Sequence, residues 1–253
     1  MLSAEGSSSF ALNLIAFNKM ERLNYSLYAI PALKAKFYSD AEVTTNVKPI
    51  ISRIRAAAYY PKVIAYSNRM GMPPEFLTAI IGTESGGNNV GENSFGAIGL
   101  TQMTRATAYD TILAEEKLGF LMDFEKDYIK TKVPAFKTKN FAIKGGVFEG
   151  LYPVSRGTTI WNQLGTALKD PEFNIFMSSM RLSQLAYQFR DSKGVPQLHK
   201  VLGRYNGTIA TGQRVAKYKN AWDAAAASDV PTETRNYIKK VLGTNGFLDV
   251  MTR

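Results

Sequence analysis

Apolar residues recur at helical spacing from about residue 50 to the end of the chain, and alternating strand-like patterns are scarce. Leu77, Ile80 and Ile81 follow the i, i+3, i+4 pattern of one helix face, and Pro74 suits the first turn of that helix. The glycine- and asparagine-rich run at 85–89 predicts its end. Further helical segments are predicted at 170–190, 198–205 and 231–241. The predicted fold class is therefore mainly α.

The composition excludes several kinds of chemistry. The 253 residues include no cysteine and a single histidine, His199. Disulfides, thiolate metal sites, cysteine nucleophiles and multi-histidine metal sites are thereby excluded, and we expect neither a metal nor a cofactor. Carboxylates, tyrosines and amides remain as the groups that would carry a reaction.

The charge balance predicts an anionic partner. Lys and Arg number 31 against 21 Asp and Glu, a formal net charge of +10. Nucleic acid, a membrane surface and an acidic cell-wall polymer would all satisfy this excess. No apolar stretch approaches the roughly 20 residues of a membrane span, and Glu5 stands where a secretory signal would carry positive charge, so neither is predicted.

The chain is predicted to have three regions. Residues 1–49 are interpreted as a helical N-terminal extension and residues 50–253 as the main domain. Within that domain, residues 118–170 lack clean periodicity and are interpreted as an irregular insertion. Its lysines between 130 and 144 would suit nucleic acid or wall polymer, although an ordinary solvated loop is the favoured interpretation.

Glu84 is the leading candidate for catalysis. It occupies the next slot on the apolar face of the predicted helix, at the C-terminal end. Partial desolvation and the negative end of the helix dipole would both raise the pKa of its carboxyl group, as a general acid requires. The alternative is that Glu84 turns outward and pairs with a lysine.

Four short motifs appear in order along the chain: ESG at 84–86, GAIGLTQ at 96–102, RYNG at 204–207 and ETRNYI at 233–238. Together they resemble the motifs of the soluble lytic transglycosylases, the goose-type-lysozyme-like class. The resemblance covers roughly residues 50–118 and 170–243, and it implies a lysozyme-like transglycosylase domain.

The resemblance also implies a reaction. Glu84 falls on the single catalytic glutamate of the family. It would protonate the glycosidic oxygen between N-acetylmuramic acid and N-acetylglucosamine, and then act as base while the sugar's C6 hydroxyl closes a 1,6-anhydro ring. A nucleophile supplied by the substrate removes the need for the second carboxylate of ordinary glycosidases.

Nine further positions match the family's substrate-binding motifs or neighbour them: Ser85, Asn93, Ser94, Gly96, Gly99, Gln102, Tyr205, Asn206 and Tyr237. By resemblance, Gln102 contacts the sugar or the stem peptide, and Tyr205 hydrogen-bonds the catalytic carboxylate. For Tyr237, a position in the cleft and a position in the core are equally favoured. Thr101 departs from the usual methionine, and either Asn93 or Ser94 would replace a serine that the family often has nearby.

The expected substrate is the glycan strand of peptidoglycan. Added segments and the expected lack of a secretory signal favour a bacteriophage protein, carried in the virion and acting in the periplasm and cell wall during genome entry, with other virion or ejection proteins as partners. A secretion-system enzyme is the nearest rival setting. A goose-type hydrolase, or a non-catalytic component that binds cell wall or DNA, are the alternative functions.

Overall fold

The computed structural model describes residues 36–118, 121–138 and 156–253, and within these ranges the chain is mainly helical, as predicted. The first half contains α1 (Asp40–Glu42), a π-helical turn (Val43–Val47), α2 (Lys48–Ala56), α3 (Tyr60–Arg69), α4 (Pro74–Ser85), β1 (Ala97–Ile98), β2 (Met103–Thr104), α5 (Arg105–Leu118), α6 (Asp123–Lys132) and α7 (Ala135–Thr138). The second half contains α8 (Thr159–Ala167), α9 (Pro171–Gln188), α10 (Leu198–Asn206), α11 (Ile209–Ala216), α12 (Ala221–Ala226), α13 (Thr232–Leu242) and α14 (Phe247–Thr252). None of the described helices combines the length and the apolar character needed to cross a bilayer.

The chain divides into two compact units. The first comprises the residues up to Gly87 together with those from Leu185 onward, and the second comprises Asn88–Gln184. The proposed boundary between an extension (1–49) and a main domain (50–253) stays a prediction; residue 49 lies inside the helical stretch that runs from Asp40 to Ala56.

Helix α4 is the centre of the first unit. It packs against α2, α3, α13 and α14. Every side chain from Phe76 to Ile81 is buried, which explains why the apolar pattern of this helix extends beyond a single face. Its two ends are those predicted, with Pro74 in the first turn and Ser85 as the last residue.

The segment before α2 is anchored to the C-terminal end of the chain, within the same unit. Ser39 and Glu42 form a reciprocal capping box at α1. The Asn245 side-chain amide donates to the Tyr38 carbonyl at 3.2 Å and to Asp40 Oδ1 at 2.6 Å. Most of the predicted extension, residues 1–35, lies outside the described residues.

The second unit combines a small hairpin with helices. Strands β1 and β2 are antiparallel, with Ala97 opposite Thr104 and Ile98 opposite Met103. Helix α5 follows β2 directly and packs against α8. The Tyr128 ring meets Phe176 edge-on at 5.4 Å between centroids and contributes to the core around α9.

The region predicted to be an irregular insertion, 118–170, is helical over much of its described part, while its status as an insertion stays a prediction. Three helices, α6, α7 and α8, lie among the described residues of that region. Helix α6 has Asp123 and Glu125 in its first turn and Lys130 and Lys132 in its last, which complements the helix dipole. Its few apolar residues are too sparse to indicate a helix face in the sequence. Packing of Ile129 in the core contributes the remaining stability of the helix.

Candidate active site

Glu84 lies in the last turn of α4, in the first unit, and is half-buried. The helix ends because Gly86 adopts a left-handed backbone with φ 61°, which glycine tolerates without a Cβ clash. The Gly86 N–H donates to the Gly82 carbonyl at 3.2 Å. This turn presents the carboxyl group of Glu84 at the point where a buried helix comes to an end.

A buried phenol holds the Glu84 carboxyl group. Tyr237 lies on α13, is 5% exposed, and donates its hydroxyl hydrogen to Glu84 Oε1 at 2.7 Å. Burial, and then the nearby Glu84 charge, raise the pKa of Tyr237 well above its usual range. The phenol therefore keeps its hydrogen at neutral pH and remains a donor.

The environment of Glu84 favours its protonated form. Burial is the largest cause and, together with the charge of Glu233, raises the pKa of Glu84 to about 7. The hydrogen bond from Tyr237 and the charge of Lys240 act in the opposite direction. The predicted upward shift is thereby confirmed, and a carboxyl group with such a pKa is matched to proton transfer near neutrality.

Three other predicted residues lie in the same unit. Tyr205, on α10, is half-buried and close enough to Tyr237 to raise the pKa of that phenol. Asn206 Oδ1 accepts a hydrogen bond from Thr234 Oγ1 at 3.1 Å, which joins the end of α10 to α13. The Ser85 hydroxyl donates to the Ile81 carbonyl at 3.1 Å, within its own helix.

Tyr237, for which the sequence fitted a cleft and a core position equally well, is thus bonded to Glu84. The bond expected between Tyr205 and the same carboxyl group stays a prediction. The substrate-binding roles of the other predicted site residues also stay predictions.

The remaining predicted residues form a compact loop in the second unit. The Gln102 side chain donates to the Gly99 carbonyl at 2.9 Å, and its oxygen accepts from Asn93 Nδ2 at 2.9 Å. Gln102 has a positive φ of 50°, a conformation that is uncommon outside glycine and worth noting at a candidate site. Of the two candidates for the family serine, Asn93 makes the contact to Gln102, and Ser94 is exposed beside it.

Gly99 and Asn174 fix the turn before Gln102. Gly99 has φ 79°, and a Cβ there would collide with the Asn174 amide. Asn174 is fully buried on α9 and donates to the carbonyls of Ile98 at 2.8 Å and Leu168 at 3.1 Å. Its oxygen accepts from the Thr101 backbone N–H at 3.0 Å and from the Thr101 hydroxyl at 2.7 Å. Every hydrogen and both lone pairs of this amide are thereby used.

Asn174 is a residue that sequence reasoning missed. The signal that would have found it is Thr101, a polar residue where the family usually has methionine. A buried threonine hydroxyl requires a polar partner, and Asn174 and the Ser178 hydroxyl are those partners.

Glu92 and Arg105 form a second support for the loop. The Arg105 guanidinium makes a two-pronged ion pair with Glu92, with Nη2 at 2.8 Å from Oε2. It also lies 5.6 Å from the centre of the Trp161 ring. This pair connects the glycine-rich segment to the start of α5.

Two groups of residues therefore emerge, each within one unit. Glu84, Tyr205, Asn206 and Tyr237 belong to the first unit, with Ser85 beside them. Asn93, Ser94, Gly96, Gly99 and Gln102 belong to the second unit. In the described part of the chain, no group of three or more histidine, aspartate or glutamate residues is arranged to hold a metal ion.

Comparison with known proteins identifies the class of domain. Residues 61–122 match the family described as the transglycosylase SLT domain. The chain thus carries an SLT, lysozyme-like domain within a mainly helical fold. The matched range includes Glu84 and the loop that ends at Gln102. No curated protein matches the chain.

Proposed function

We propose that the protein is a peptidoglycan lytic transglycosylase. It would cleave the β-1,4 bond between N-acetylmuramic acid and N-acetylglucosamine and leave a 1,6-anhydro ring on the muramic acid. The observation that carries the proposal is the Glu84 carboxyl group, whose pKa is raised to about 7 and whose Oε1 is held by the Tyr237 phenol. It lies inside the segment that matches the SLT domain.

The proton balance of this reaction requires one group that first donates and then accepts. Protonated Glu84 gives its hydrogen to the glycosidic oxygen, and the bond from that oxygen to C1 of muramic acid breaks. The C6 hydroxyl of the same sugar then forms a bond to C1 and returns a proton to Glu84. A carboxyl pKa near the working pH serves both steps, because neither protonation state is strongly favoured.

Tyr237 would orient the acid without replacing it. Its hydrogen bond occupies Oε1 and restricts rotation of the carboxyl group, which leaves Oε2 to exchange the proton with substrate. The same bond stabilises the ionised form that arises after the first transfer. The phenol itself stays protonated throughout, because its pKa is raised well above its usual range.

Gln102 would contribute to binding the glycan. Its amide donates one hydrogen to Gly99 and accepts one from Asn93. A carboxamide has two hydrogens and two lone pairs, so one of each would be available to a sugar hydroxyl or an N-acetyl group. A side chain held in this way is pre-organised for binding.

The test is digestion of purified peptidoglycan by the wild type and by Glu84→Gln, with the released muropeptides identified by mass spectrometry. Anhydro-muropeptides from the wild type alone are the expected result. Reducing-end products that depend on Glu84 would instead indicate a goose-type hydrolase. No release by a folded wild type would refute the enzymatic proposal and favour a role in binding cell wall or DNA.

A finer proposal concerns the biological setting. We propose that the enzyme is carried by a phage virion and opens the wall locally in the periplasm during genome entry. Its support is the set of segments added to the domain and the net charge of +10, which suits an anionic wall. Detection of its peptides in purified virions would be the expected result, and their absence from virions would refute it.

A further inference from the structure

Phe95 is unusually exposed for an aromatic residue. Its side chain is 89% exposed, against 57% for Phe124 and 63% for Ile209, the next most exposed large apolar residues of the described chain. Single exposed apolar residues are common and need no explanation by themselves. Phe95 differs because of where it lies and how firmly its backbone is held.

The turn that presents Phe95 is held by one residue, Asn93, through its side chain and its backbone. Asn93 Oδ1 accepts from the backbone N–H groups of Phe95 at 2.8 Å and Ala97 at 3.1 Å. The Gly96 N–H donates to the Asn93 carbonyl at 3.0 Å, and the Asn93 N–H donates to the Ala97 carbonyl at 2.9 Å. Four hydrogen bonds thus hold a short turn whose tip projects an aromatic ring into solvent.

The same Asn93 amide joins Phe95 to Gln102. While its oxygen holds the Phe95 backbone, its nitrogen donates to Gln102 Oε1 at 2.9 Å. The Phe95 backbone and the proposed sugar-binding amide of Gln102 are therefore joined through the side chain of Asn93. An aromatic face beside a placed polar group is the usual composition of a small-molecule site.

We propose that Phe95 is a stacking platform for a pyranose ring of the glycan strand, adjacent to the position bound by Gln102. The apolar C–H face of a sugar would pack on the electron-rich face of the phenyl ring, while Gln102 selects its polar groups. The inference rests on the proposed function, since it assigns part of the substrate contact for that reaction. It makes Phe95 a binding determinant, with no part in proton transfer.

The expected loss of substrate affinity in Phe95→Ala follows from covering one face of the ring. Half of the free energy of burying a phenylalanine side chain corresponds to about four- to twelvefold in affinity. Phe95→Ala should therefore raise KM on peptidoglycan by that factor and change kcat little. Because the ring is exposed, the thermal midpoint should stay that of the wild type.

The experiment compares Phe95→Ala, Phe95→Trp and Phe124→Ala on two substrates, intact peptidoglycan and glycan strands stripped of their peptides. We expect a raised KM for Phe95→Ala on both substrates and recovery in Phe95→Trp, which restores an aromatic face. Phe124→Ala, the matched removal of an exposed ring elsewhere in the second unit, should behave as the wild type.

Three outcomes would overturn the proposal: an unchanged KM in Phe95→Ala, an equal defect in Phe124→Ala, or a defect confined to the peptide-bearing substrate. An unchanged KM would also be the result if the ring served a protein partner. If the wild type cleaves nothing, the proposed function fails. Phe95 is still tested then, by co-sedimentation of Glu84→Gln, with and without Phe95→Ala, with insoluble peptidoglycan, where equal binding would refute its role.

Discussion

Replacing Glu84 by glutamine should stabilise the protein at alkaline pH and not at acidic pH. The unfolded chain releases the Glu84 proton near pH 4.5, whereas the folded protein releases it near pH 7. Between these values the folded state binds more protons than the unfolded state, so stability falls as pH rises. Glutamine has no charge to desolvate and does not suffer this loss.

The size of the effect follows from the difference between the two pKa values. Each pKa unit corresponds to about 1.4 kcal/mol, and the rise from 4.5 to about 7 therefore corresponds to about 3 kcal/mol. The cost is absent below the unfolded pKa and complete above the folded one. The advantage of Glu84→Gln over the wild type should thus grow by about 3 kcal/mol between about pH 4 and about pH 8.5.

Urea unfolding of both proteins, followed by circular dichroism at several pH values across this range, measures the change. Glu92→Gln is the control, because the stability that Glu92 contributes should depend on pH in the opposite direction. The hydrogen bond from Arg105 lowers the pKa of Glu92, so its contribution is present above the unfolded pKa and lost as pH falls. A stability difference between Glu84→Gln and the wild type that is independent of pH would refute the argument from desolvation.

Two further substitutions test the supports of the candidate site. Tyr237→Phe removes the hydrogen bond that lowers the pKa of Glu84. The alkaline limb of the pH–rate profile should therefore move to higher pH, and the maximal rate should fall about tenfold. An alkaline limb that does not move would contradict this role of Tyr237. Thr101→Met restores the residue usual in the family but removes one donor to Asn174 and adds volume to a full core, so urea unfolding should show a loss of about 2–3 kcal/mol. Unchanged stability would show that the hydroxyl is dispensable.

Much of the helical scaffold was predictable from local pattern. Proline in the first turn and glycine after the last turn predicted the ends of α4, and both are confirmed. The helical segment predicted at 231–241 is α13, whose buried residues Thr234, Tyr237, Ile238 and Val241 lie at helical spacing. These predictions succeed because capping chemistry and a 3.6-residue period act within a few residues of sequence.

The helices at 118–170 were missed for the opposite reason. Their apolar residues are few, and their stability depends on charges at the ends and on packing against distant elements, such as the stacking of Phe136 with Tyr109 at 6.2 Å. The short-range pattern of apolar residues does not predict contacts between elements that are distant in the sequence.

In the candidate site, too, some features follow from the local sequence and others depend on packing between distant elements. The sequence was enough to select Glu84, through the four ordered motifs and the family that they resemble. It was also enough to expect a raised carboxyl pKa, since that shift depends on a helix face and its end. The bond from Tyr237 to that carboxyl group joins residues 153 positions apart, and the bond from Thr101 to Asn174 that supports the turn before Gln102 joins residues 73 positions apart. Such contacts arise when helices pack, and a hydrogen bond requires placement to within a few tenths of an ångström, which no short-range pattern specifies.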